Sequence, residues 1–218
     1  MNLQGTGYHP DFGGLVEYHA IPLSRDPDTQ VAQTIGYMRD LNRADTFSPA
    51  IMRDAALMES GSGDLLSDAF WWSKGKVKFQ QDEQTAAPFR RLLDDDVVEV
   101  LIRPQHLANM AHPVEDCDGI QNYTAALLRS RGIPCSYVTV AADAREPNRF
   151  SHVYLACYQN GQRVALDPSH GPYPGWEAPN VYDKKSEWPI DGPNWCELLL
   201  IAAVLAGAVY LIHTWGIL

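Results

Sequence analysis

Positive charge is scarce in this chain: 17 lysine and arginine residues stand against 27 acidic ones, for a formal net charge of -10. No basic run is longer than a pair. Such a surface neutralises few phosphates, so nucleic acid is not expected as a partner. Cysteine is scarce too. Cys117, Cys135, Cys157 and Cys196 form no CxxC pair and no Cys/His spacing of the zinc-finger or zinc-ribbon kind, so no metal site is expected. No run of carboxylates has EF-hand spacing, which argues against calcium activation. The opening MNLQGTGYHPDFGG lacks a basic stretch followed by an apolar run. A secretory signal is therefore not expected, and the thiols are expected to stay reduced in the compartment of synthesis.

What is present starts with enough apolar content, 45% of 218 residues, for one main domain with appendages. One long hydrophobic run stands out. From Leu198 to Leu218 the chain carries no formal charge, and as a helix at about 1.5 Å per residue it would span about 30 Å, the thickness of a bilayer core. We read it as a transmembrane anchor. Trp195 and Trp215 stand near its ends, and Ala203 and Gly207 form a small-xxx-small pair suited to a second copy of the helix. Lys184 and Lys185 precede it and nothing basic follows, which places the main domain on the cytoplasmic side, or in a virion. The alternative is a helix buried in a core, which His213 and the central glycine favour.

Residues 1–26 read as an extended arm, 27–96 as a helical subdomain, 97–180 as the core, 181–197 as a linker and 198–218 as the anchor. Val31, Ile35, Met38 and Leu41 recur at helical spacing and predict a helix from about Thr29 to Asn42. Ser48 followed by Pro49 predicts the start of a second helix, and DLLSDAFWWSKG a third that ends at Gly75. His112 and His170 read as loop residues, and Cys135 and Cys157 as core packing.

The segment VEDCDGIQNYTAALLRSRGIP predicts a helix capped by Asp116, with Ile120, Tyr123, Leu127 and Leu128 on one stripe and Gly132-Ile133-Pro134 as its stop. Cys117 lands in the first turn, where unpaired backbone N–H groups favour thiolate over thiol. A small buried residue is the plainer reading of that position. Asp116 and Asp118 are like charges that oppose the thiolate, unless Asp116 is engaged in capping. Further on, Asn160-Gly161 lies between apolar-polar alternations and predicts a hairpin with a two-residue type I′ turn. Tyr158 then faces Arg163, Ala156 faces Ala165, and His152 faces Ser169. One face carries Val153, Leu155, Cys157, Val164 and Leu166. The other carries His152 and Asp167 as diagonal neighbours, about 7 to 8 Å apart at the backbone and within reach of a hydrogen bond. A thiol at a helix start with a histidine and a carboxylate on one hairpin has every part of a cysteine nucleophile system. Taken singly, His152 is also an ordinary strand histidine and Asp167 an ordinary opener of an Asp-Pro turn.

The runs DCDGIQNYTAALLRSRGIPCSYVTVAA and FSHVYLACYQNGQRVALDPSHG, in that order, resemble the core of the transglutaminase-like superfamily, a papain-like cysteine peptidase fold. The match covers about Val97 to Trp176. EDCDG, FSHVY and DPSHGPYPGWE are closest in flavour to transglutaminase-like proteins of tailed bacteriophages. The resemblance implies an α+β fold in which the cysteine-bearing helix packs on an antiparallel sheet, with Cys117 as nucleophile, His152 as base and Asp167 as orienting carboxylate. It implies acyl transfer through a thioester on a protein or peptide substrate, as peptidase, deamidase or crosslinking enzyme, without a cofactor. Beyond the backbone N–H of Cys117, the oxyanion donors are open among Trp72, Gln80 and Gln105. A second reading is a membrane-anchored structural or virion-assembly protein that keeps the fold with weak or lost catalysis; its partners would be virion proteins or a second copy of the chain.

Overall fold

The computed structural model describes residues 24–59, 63–85, 100–180 and 182–191, and the backbone of two earlier strands. These strands, β1 (Leu3–His9) and β2 (Gly14–Ala20), pair antiparallel with Leu3 opposite Ala20 and His9 opposite Gly14. The segment read as an arm thus holds a hairpin. Among the described residues no helix is long and apolar enough to cross a membrane. The apolar segment 198–218, with Trp195 and Cys196 just before it, lies outside the described residues.

Each of the next three helices starts at a side-chain cap followed by proline or an apolar residue. Asp26 caps α1 (Pro27–Asp45) by accepting from the Thr29 N–H, Ser48 caps α2 (Pro49–Met58) through the Ile51 N–H, and Asp64 caps α3 (Leu65–Lys76) through the N–H groups of Leu66 and Ser67. Helix α1 is therefore longer than its apolar spacing suggested, since Asp26-Pro27 starts it earlier and Thr46 closes it later. Gly75 does not stop α3, which runs to Lys76. After it come β3 (Lys78–Phe79), α4 (Asp82–Thr85), α5 (Pro104–Asn109) and β4 (Val114–Glu115), and β3 pairs parallel with β4.

Helix α6 (Cys117–Arg129) is the hub of the molecule. It packs on α1, α2, α3 and α5 and on the sheet. Asp116 caps it, as its sequence predicts, and Gly132 at φ 77° ends it, with Ile133 N–H reaching the Leu128 carbonyl and Gly132 N–H the Arg129 carbonyl. The predicted stripe is buried, and so is everything else from Asp118 to Leu128. Several of its polar residues are bonded: Asn122 accepts from Asn42 and from the Tyr137 hydroxyl, and the Thr124 hydroxyl donates to the Ile120 carbonyl. Burying Ile120, Leu127 and Leu128 contributes about 1.5–3 kcal/mol for each side chain.

Gly119 has a specific reason to be in this helix. A Cβ there would overlap the side chain of Glu115, which is buried and accepts from the Ile102 N–H at 2.9 Å. Gly119→Ala is expected to destabilise the protein by about 2 kcal/mol, the loss of that buried position outweighing the roughly 1 kcal/mol helix preference of alanine. A urea titration with an unchanged slope and a lower midpoint would bear this out; a stabilised variant would refute it.

The sheet has the order β7-β6-β5-β8 and is antiparallel throughout, from β5 (Cys135–Val140), β6 (His152–Gln159), β7 (Gln162–Leu166) and β8 (Lys185–Pro189). The protein is a mixed α+β fold. The β6–β7 register is the predicted one, with Tyr158 opposite Arg163 and Ala156 opposite Ala165, and Asn160 and Gly161 take the positive φ values, 53° and 75°, that their turn requires. Val153, Leu155, Cys157 and Leu166 face the helices, and Tyr154, Ala156 and Ala165 form a second, smaller cluster with Val138, Val140 and Ala178. Strand β8 lies inside the stretch read as a linker. Its Trp188 donates to the Thr139 hydroxyl at 3.0 Å and fixes the strand beside β5.

Candidate active site

Cys117 is the first residue of α6 and is half-buried. The Asp116 carboxylate accepts from the Asp118 N–H at 3.1 Å, so one of the two neighbouring charges is engaged by the helix start. The short β3–β4 ladder fixes the approach to this residue, with the Gln80 N–H donating to the Glu115 carbonyl at 2.9 Å.

His152 opens β6 and Asp167 follows the last residue of β7. The side chains meet: His152 Nε2 lies 2.7 Å from Asp167 Oδ2. An ionised carboxylate only accepts, so Nε2 carries the proton and Nδ1 is left as the basic nitrogen. The other oxygen, Oδ1, accepts from the Ser169 hydroxyl at 2.6 Å, the His170 N–H at 3.1 Å and Gln121 Nε2 at 3.2 Å. Burial alone would raise the Asp167 carboxyl, but the hydrogen bond and charge of His152, with those of Ser169 and His170, hold it below its ordinary value.

Cys117 and His152 line one cavity of about 180 Å³, together with Asp116, Asp118 and Phe150 and a wall of α1 that includes Val31 and Ile35. A larger cavity of about 520 Å³ lies along α2 and α3, lined by Arg53, Leu57, Trp71 and Lys76 among others. It is lined by no thiol and no histidine. Of the three residues singled out by the sequence, Cys117 and His152 line the same cavity and His152 bonds directly to Asp167.

The oxyanion candidates separate. Trp72 directs its indole N–H to the Tyr123 hydroxyl at 2.9 Å and lines the larger cavity. Gln105, at the start of α5, uses its backbone N–H on Asp45 and does not line the cavity at Cys117. Gln80 is held beside the strand that leads into Cys117, but like the other two it does not line that cavity, and its amide donates to the Thr85 hydroxyl at 3.0 Å.

Sequence reasoning missed Gln121, Ser169 and His170. Gln121 stands one helical turn beyond Cys117 and donates to both Asp167 and Ser169, tying the cysteine helix to the carboxylate turn. Its signal was the four-residue spacing on a helix. Ser169 was in view as the register partner of His152. His170, read as a loop residue, packs its ring edge to face with His152 at 4.8 Å and with Phe79 at 4.9 Å. The Ser169 proton goes to Asp167, so Ser169 accepts from His170 Nδ1 at 3.0 Å. Partial desolvation of this otherwise exposed residue, and then the charge of His152, keep the His170 ring below the ordinary imidazole value. Nothing in the order of residues announced these contacts, which depend on how the turn after Asp167 folds back. Lys74 of α3 holds that turn through the Gly171 carbonyl at 2.9 Å.

Among the described residues, His152, Asp167 and His170 form the one group that could hold a metal ion, with ligand atoms within 4.8 Å of one another. A cation there would have to break the His152–Asp167 bond, and the hydrogen bonds already made account for the arrangement.

No family model and no curated protein matches the chain. Two solved structures that are similar to it are "Crystal structure of a TGase", at a TM-score of 0.36 and 12% identity over 83% of this chain and 47% of that one, and "Crystal structure of Rad4-Rad23 bound to a 6-4 photoproduct UV lesion", at a TM-score of 0.38 and 8% identity over 73% of this chain and 40% of that one. The chain spans less than half the length of either.

Proposed function

We propose that the chain is a transglutaminase-like cysteine acyl-transfer enzyme in which Cys117 is the nucleophile, His152 the base and Asp167 the residue that orients it. The observation that carries this reading is the single cavity shared by Cys117 and His152, with His152 Nε2 bonded to Asp167 so that Nδ1 is left for the thiol. The order of motifs noted in the sequence supports it. In the first step His152 Nδ1 takes the thiol proton, and the Cys117 sulfur attacks a carboxamide or peptide carbonyl carbon. The imidazolium then protonates the departing ammonia or amine and a thioester remains. Water or a primary amine, deprotonated by the same imidazole, attacks the thioester and frees the sulfur. The first acceptor gives hydrolysis and the second a crosslink. No cofactor enters either step. In the same reading the segment 198–218 tethers the enzyme to a membrane, where protein or peptide substrates reach it.

Alkylation of the folded protein with iodoacetamide tests the core of the proposal. Cys117 is expected to react at neutral pH at least tenfold faster than the buried Cys135 and Cys157, and His152→Ala is expected to slow Cys117 itself by about tenfold. The Asp167 carboxyl is held low, so its contribution is fully present above about pH 4, the ordinary carboxylate value, and is lost as pH falls through the depressed one. The rate advantage should therefore not collapse because of Asp167 anywhere between pH 5 and 8. A Cys117 that reacts no faster than a buried thiol, or one indifferent to His152→Ala, would overturn the assignment.

A further inference from the structure

Two thiols outside the candidate active site face each other. Cys135 opens β5, Cys157 lies near the end of β6, and the two are direct partners in the ladder. The adjacent pair is hydrogen-bonded, the Tyr158 N–H donating to the Pro134 carbonyl at 3.0 Å. By the alternation of an antiparallel ladder, Cys135 and Cys157 occupy the intervening position, where side chains stand closest and Cα atoms are about 4.5 Å apart, inside the range that a disulfide spans. Both are buried in the main core, and their sulfurs are 2.7 Å apart, well within van der Waals contact. Plain packing would be met by any two small apolar residues. Two thiols in register with touching sulfurs also fit a bond.

We propose that Cys135 and Cys157 are a site of oxidative cross-linking, converted by a small peroxide into a disulfide that joins β5 to β6. Cys135 is the one with residual exposure, at 3%, while burial pushes the Cys157 thiol well above its ordinary value. The Cys135 sulfur attacks a peroxide oxygen; the O–O bond breaks, one water leaves and a sulfenic acid forms. The Cys157 sulfur then attacks the sulfenyl sulfur, the S–O bond breaks and a second water leaves. Two thiols give up two electrons and two protons, and one hydrogen peroxide becomes two waters. Cys135 directly follows the turn that ends the helix of Cys117, and Cys157 shares a strand with His152. The bridge therefore links the exit of the thiol-bearing helix covalently to the histidine strand, whether or not the chain is an enzyme.

The test treats the full chain with hydrogen peroxide, denatures and alkylates it, and maps its peptides by mass. The expected result is a linked pair carrying Cys135 and Cys157, lighter by two hydrogens, cleaved by dithiothreitol, and accompanied by a melting temperature raised by about 5–10 °C. Cys135→Ser should abolish the linked pair and the shift. Should that variant not fold, the map of the unmodified chain decides alone. Recovery of both cysteines alkylated, oxidised singly to sulfinic acid, or joined to other cysteines overturns the proposal.

Discussion

On the proposed mechanism, Cys117→Ser is expected to abolish acyl transfer, by about 10⁴-fold or more, while the protein melts where it did before. The first half follows from the chemistry. Imidazole readily ionises a thiol but not a hydroxyl, and a nucleophile and base that act as a unit lose nearly all their effect when either is removed. The second half follows from placement. Cys117 is half-buried in the lining of a cavity, and its helix is capped by Asp116 rather than by the thiol. His152→Ala should cost about as much, and the double variant little more than either single one, since the two effects do not add within one catalytic unit. The measurements are incorporation of a fluorescent primary amine into a glutamine-bearing protein and release of ammonia from it. A Cys117→Ser protein that keeps either activity removes this residue from the mechanism.

The part of this arrangement that the sequence disclosed was fixed by local rules. An Asn-Gly pair between alternating strands favours one turn type, and that turn sets the register, so the sequence alone puts His152 and Asp167 on one face. Asp116 and the glycine-proline stop bounded α6 in the same way, since capping is a matter of a few adjacent residues. The apolar spacing of α6 was a poorer guide. It predicted a stripe, yet Gln121, Asn122 and Thr124 on the other sides are buried as well, because four helices and the sheet surround this helix.

What stayed hidden depends on tertiary placement. Strand β8 is short and mixed, Lys-Ser-Glu-Trp-Pro, and it is a strand because β5 offers an open edge and Trp188 finds Thr139. Tertiary context outweighs propensity there. His170 could not be assigned from its neighbours in sequence, since its contacts with His152 and Phe79 come from the turn that Lys74 and Gly171 hold in place. The thiol–imidazole relation lies between these extremes. Each residue was legible as a type, whereas their common cavity required the packing of α1 against the other two elements.

The packing behind α6 depends on a buried carboxylate, and its removal gives the largest expected loss of stability. Asp54 of α2 is 1% exposed. It accepts from the Tyr123 hydroxyl of α6 at 2.7 Å and from Arg53 at 2.9 Å, and it forms an ion pair with Lys76 of α3. Lys76 and Arg53 in turn donate to the Ala108 carbonyl of α5 at 3.0 Å and 2.7 Å. Four helices therefore converge on one carboxylate. Asp54→Ala would leave a half-buried ammonium and a buried hydroxyl without their acceptor, for a loss of about 3–5 kcal/mol. Lys76 keeps some access to water, which favours the lower end. Asp54→Asn keeps an acceptor for Tyr123 and should lose less, while replacing Asp54 and Lys76 together by apolar residues of similar size should recover most of the loss, because no buried charge is then unpaired. Denaturant unfolding of the three variants measures this directly. If Asp54→Ala costs under about 1 kcal/mol, the carboxylate is not what holds α6, and with it Cys117, in place.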